Sequence, residues 1–110
     1  MCSSDLLFGY RQSKIPVFRG DTIFMEATQN PYATPLVYTS NPLMSGYLSA
    51  KNKELAKNAA SIVVSGAGSG RVIAMVDNPV FRAFWFGTNK LLANMVFFGN
   101  LIQTGATERK

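Results

Sequence analysis

A nearly unbroken apolar run, Arg71-Val72-Ile73-Ala74-Met75-Val76, stops at Asp77-Asn78-Pro79 and is followed by a long aromatic-rich stretch. No other feature restricts the fold of this chain as strongly. An apolar run without alternation suits a strand covered on both faces. Asn78 is a favourable helix cap, and Pro79 at the first helical position forfeits no hydrogen bond. Beyond the corner, Phe81, Phe84, Trp85, Leu91, Leu92, Met95 and Val96 recur at i, i+3, i+4 spacing, with Arg82, Asn89, Lys90 and Asn94 largely on another face. Gly99 is a natural stop. The pattern predicts a strand, a polar corner and a helix of about 20 residues, about 30 Å long, as in an α/β layer.

Residues 60–65 (ASIVVS) and 71–76 (RVIAMV) read as two strands joined through Gly66-Ala67-Gly68-Ser69-Gly70 in a β-hairpin. Ser49 caps a short Lys-rich helix running to about Asn58, with Leu55 and Ala56 as its apolar face. Residues 21–27, 36–39 and 46–48 are candidate extended segments, separated by the turn signals Asn30-Pro31 and Asn41-Pro42. Residues 7–19 have no clear period and read as loop. The first six residues, MCSSDL, look foreign to the rest of the chain and match the translated end of a widely used sequencing-adapter oligonucleotide. They are set aside from the fold. On this reading the chain is the tail of a longer protein cut near Leu7, with one domain over residues 7–101 and a polar tail over 102–110.

Histidine is absent from all 110 residues. That removes the commonest general base and metal ligand, together with any Ser-His or Cys-His pair. One cysteine cannot form an internal disulfide. The charge of +5, from 11 Lys and Arg against 6 Asp and Glu, is dispersed along the chain. Its one local cluster, Lys51, Lys53 and Lys57, is interrupted by Glu54 and reads as a solvated helix face, so no nucleic-acid partner is expected. No membrane span is expected either, because residues 80–98 contain Arg82, Asn89, Lys90 and Asn94.

Asp77, Asn78 and Arg82 fall where a strand gives way to a helix, the edge at which open α/β sheets bind ligands. Arg82, Trp85 and Asn89 can extend that edge with charge, stacking and amide hydrogen bonds. These five are the candidate ligand-contacting residues. The competing assignment makes Asn78 a cap, pairs Arg82 with Asp77 and places Trp85 in the core. It is favoured, because caps and core aromatics are commoner than sites. The glycine-rich connection fails as a phosphate loop, since it leads into a strand and not a helix. Asp21 and Glu26 would point to opposite faces of a strand and are discounted as a catalytic pair. Tyr32, Tyr38 and Tyr47 can line a carbohydrate-contacting surface, or pack as loop tyrosines against the domain, the preferred assignment. No catalytic residue and no metal ligand is assigned.

Three segments carry a resemblance: NPYATPLVYTSNPLMSGYLS (residues 30–49), SIVVSGAGSGRVIAMVDNP (61–79) and FRAFWFGTNKLLANMVFFG (81–99). Together they look like the C-terminal region of large bacterial M14-family zinc carboxypeptidase-like proteins, in which a peptidase domain is followed by an accessory domain similar to class I glutamine amidotransferases. The phrase FRAFWFGTNKLLAN is the most specific part, and the resemblance covers residues 15–99, nearly all of the chain beyond its foreign-looking start. It implies an α/β fold, the last strands and terminal helix of a flavodoxin-like three-layer domain, with a β-hairpin followed by a long terminal helix. It also implies that the parent removes C-terminal residues from peptides and is periplasmic or secreted. The family's zinc ligands, a His-x-x-Glu pair and a distant His, have no counterpart here, nor does the Cys-His-Glu triad of true amidotransferases. Zinc is therefore expected in the missing catalytic domain, with no cofactor on this chain, whose partners would be that N-terminal peptidase domain and, through it, the peptide substrate. The expected role is structural or in substrate access. The rival readings are a carbohydrate or cell-wall binding module of another multidomain protein, and a self-standing small α/β protein that binds a phosphorylated ligand over the segment from Asp77 to Arg82.

Overall fold

The computed structural model describes residues 5–102; four of the six leading residues and the tail from 103 lie outside the described residues. The sheet has three antiparallel strands in the order β1 (Leu36–Val37), β2 (Ala60–Ala67) and β3 (Gly70–Met75). The expected hairpin forms, with β2 and β3 in register from Ala67 opposite Gly70 to Ile62 opposite Met75. Its two-residue turn is possible because Gly68 takes a φ of +57°, a conformation a Cβ disfavours. Gly68→Val is therefore expected to cost about 1–2 kcal/mol in a urea titration. Gly70→Ala, next to the same turn but outside the left-handed region, should stay within about 0.5 kcal/mol.

Residues 21–27 contribute a single bridge, between Met25 and Ala60, and not a strand. The carbonyl of Ile23 is taken by the Arg19 guanidinium, so this segment spends its hydrogen bonding on a side chain. Residues 46–48 form no strand. Helix α1 (Ala50–Ala56) starts as expected: the Ser49 hydroxyl accepts the Asn52 N–H at 3.3 Å. Asn58, at φ 57°, ends it in the left-handed conformation that asparagine tolerates. Of its two expected apolar residues, Ala56 is buried and Leu55 is exposed.

The core lies between one face of the sheet and helix α2 (Phe86–Phe98). Alternation along the hairpin turns Ile62, Val64, Ile73 and Met75 toward that helix, where they meet Leu91, Met95, Leu6 and Ile102. Val72 and Ala74 point the other way and are exposed. The apolar run 71–76 is thus covered on one face, not on both as its composition predicted. Leu6, set aside with the foreign-looking start, is fully buried in this core. The Asn94 amide fixes the segment that carries it, donating to the carbonyls of Leu6 at 2.7 Å and Phe8 at 3.0 Å.

The long helix starts seven residues later than Pro79. The capping bond does form, from the Val80 N–H to Asn78 Oδ1 at 3.1 Å, but the helix does not propagate. A short 3-10 turn over Phe81–Ala83 follows, with Arg82 and Ala83 in the left-handed region at φ 51° and 56°. Tertiary stacking overrides the local signal. Phe81 lies flat on Phe18, with ring centroids 3.7 Å apart, and Trp85 packs against the same ring at 6.2 Å. Four aromatic residues and Gly87 supply little helix propensity to oppose it. The remaining 13 residues give α2 a length of about 20 Å.

A candidate functional site at the end of the hairpin

Asp77 follows β3 and turns inward, where its side chain is fully shielded from solvent. Its Oδ1 accepts the Tyr38 hydroxyl at 2.5 Å, and its Oδ2 accepts the Ser61 hydroxyl. The guanidinium of Arg19 completes the group. Its Nη1 lies 3.8 Å from Asp77 Oδ1 and donates to the Tyr38 oxygen at 2.5 Å. The same guanidinium sits over the rings of Phe24 at 4.5 Å and Tyr38 at 5.2 Å. A loop, the end of β1, the start of β2 and the end of β3 are therefore tied at one carboxylate.

Arg82, the expected partner of Asp77, is not its partner: the left-handed turn at Arg82 and Ala83 leaves Arg82 exposed, lying over Phe81 at 5.2 Å. Asn78 is exposed and holds the corner. Trp85 is half-buried against Phe18. Asn89 is half-buried, with its Oδ1 shielded and without a hydrogen-bond partner. The candidate residues thus diverge, with Asp77 inside and Asn78 and Arg82 outside. Arg19, Tyr38 and Ser61 carried no local signal, because each meets Asp77 only through the fold. Tyr47, expected to pack against the domain, is 92% exposed. Asp21 and Glu26 are both exposed.

The chemistry of the knot is that of a hydrogen-bonded anchor. Ser61 is buried, so its hydroxyl is not presented to a substrate. Burial, then the hydrogen bond and charge of Asp77, push the Tyr38 phenol well above its ordinary 10, with Arg19 opposing them. The phenol is neutral when protonated. Above pH 10 the folded chain therefore keeps a proton that the unfolded chain has released. The resulting stability is whole below pH 10 and is lost as pH rises through the folded-state value. Urea midpoints measured from pH 8 to pH 11 should fall above about pH 10. Tyr38→Phe should lower the neutral midpoint but flatten that alkaline fall, leaving the smaller contribution of Tyr10, whose phenol burial also raises.

Among the described residues, no three His, Cys, Asp or Glu side chains gather in a group able to hold a metal ion. No described helix is long and apolar enough to cross a membrane. Comparison of the chain with protein-family models, with curated proteins and with solved structures finds no match. The fold itself defines a small mixed α/β unit: an antiparallel hairpin sheet with a terminal helix on one face.

Proposed function

We propose that this chain is a non-catalytic C-terminal segment of a zinc metallocarboxypeptidase, forming the hairpin and terminal helix of a flavodoxin-like, three-layer accessory domain. Hydrolysis of the C-terminal peptide bond, and the zinc that drives it, belong to the peptidase domain of the parent. This segment packs against the parent or shapes access of the peptide. The observation that carries the reading is the bare face of β3. Val72 is 56% exposed and Ala74 is exposed beside it, in a strand whose composition suits cover on both faces. A second helical layer supplied by the parent would bury them.

The isolated chain is expected to release no C-terminal residue from peptides, with or without added zinc, since it has no histidine to hold the metal. Zinc-dependent release by the isolated chain overturns the reading. So does an uninterrupted upstream coding sequence that lacks a His-x-x-Glu motif. One observation favours a second reading, a carbohydrate or cell-wall binding module. Tyr47 and Met44 stand 92% and 80% exposed on one loop, and an exposed aromatic is a stacking platform for a sugar ring. Glycan-array binding that disappears in Tyr47→Ala would select that alternative.

A further inference from the structure

The outward side of α2 is not accounted for by a three-layer domain, in which it would face water. Phe86, Lys90, Ala93 and Phe97 follow one another at i, i+4, i+7 and i+11, so they form a single stripe along the helix, and all four are exposed. Phe86 and Phe97 are 78% and 79% exposed, and Val96 beside them 72%. Leu101 prolongs the stripe past the helix end, and Phe84 precedes it. The one polar member, Lys90, swings its ammonium aside to the Gly9 carbonyl at 3.1 Å and the Tyr10 ring, leaving the aromatics uncovered.

Charge decides what such a stripe fits. The segment that runs beside α2 is fixed to it by Asn94, by the Tyr10 hydroxyl on the Gly87 carbonyl at 2.6 Å, and by the Phe8 ring on Phe98. Residues 5–14, whose first turn packs on α2, and residues 80–102 carry four exposed cations, Arg11, Lys14, Arg82 and Lys90, against one carboxylate, Asp5. Arg19 adds nothing to this excess, because its guanidinium is held by the buried Asp77. Exposed aromatics on an element with an excess of cations, Lys90 on the helix itself and Arg11 next to the Tyr10 that bonds Gly87, match the interface of an anionic bilayer: apolar rings enter the acyl boundary while the cations meet the headgroups. We infer that the α2 stripe docks this protein on an anionic lipid surface, lying on the bilayer without crossing it. This goes beyond the proposed role in the parent and does not depend on it.

The full chain, incubated with vesicles of phosphatidylcholine alone or mixed with phosphatidylglycerol, tests this by flotation. Binding to the mixed vesicles is expected, weakening at high salt, with little on the neutral ones. Brominated acyl chains should quench Trp85, the only tryptophan, which sits between Phe84 and Phe86. Phe97→Ser should weaken binding about tenfold, and Arg11→Gln or Arg82→Gln about fivefold each. All three residues are exposed, and circular dichroism checks that the variants fold as the unmodified chain does. No flotation with anionic vesicles, or equal binding to neutral ones, overturns the inference. Self-association abolished by Phe97→Ser, without vesicle binding, overturns it in favour of a second copy of the chain.

Discussion

Asp77→Ala is expected to lower stability by about 3–5 kcal/mol, which can be most of the stability of a domain this small. The substitution removes the acceptor of two hydroxyls, on Tyr38 and Ser61, and the only carboxylate paired with Arg19 among the described residues. The Arg19 side chain is only 14% exposed, so its guanidinium would be left with a charge that neither water nor a carboxylate compensates. Asp77→Asn keeps an acceptor for one hydroxyl and should cost less. Removing both ends, as in Arg19→Met with Asp77→Leu, should cost less than the sum of the single changes, because neither charge is stranded. Urea unfolding followed by circular dichroism measures each of these variants, the two single changes included, against the unmodified chain. A loss below about 1 kcal/mol for Asp77→Ala would show that the knot is not an anchor.

Leu91→Ala and Leu92→Ala should differ sharply although the residues are neighbours of the same type. Leu91 is fully buried among Leu6, Ile62, Val64 and Ile102, so its truncation leaves a cavity in a core with few other large side chains. The expected cost is about 2–5 kcal/mol. Leu92 is 39% exposed and its loss should cost about 1 kcal/mol or less. Thermal unfolding resolves the pair: a 1 kcal/mol loss shifts Tm by roughly 4–8 °C in a domain of this length. Equal shifts would mean that α2 is rotated from the orientation described.

The ordering of these two leucines shows where the sequence runs out. The i, i+3, i+4 pattern marked both as apolar helix positions, and α2 is apolar around most of its circumference, so periodicity cannot choose the inward side. Burial chose Thr88, Leu91 and Asn94, two of them polar. Thr88 is satisfied by the Pro79 carbonyl at 2.6 Å and Asn94 by Leu6 and Phe8, contacts that exist only after the chain has folded back. The candidate site failed to converge for the same reason. Asp77 was visible as a strand-end carboxylate, but its partners come from 16, 39 and 58 positions away, reading Ser61, Tyr38 and Arg19 in turn.

Local chemistry by itself determined the hairpin, its glycine turn, the Ser49 cap and the existence of a terminal helix. Each rests on interactions within a few residues, which composition and spacing encode directly. The absence of histidine likewise fixed what this chain's side chains do not supply. Tertiary structure alone decided that the helix opens at Phe86, because Phe18 stacks on Phe81 and overrides a sound capping signal. It alone paired Asp77 with Arg19 and not Arg82, since a left-handed turn at Arg82 and Ala83 leaves Arg82 exposed. It also left one face of β3 and one side of α2 uncovered. Burial and ion pairing depend on which distant segments meet, and no residue's own neighbourhood in the sequence specifies that.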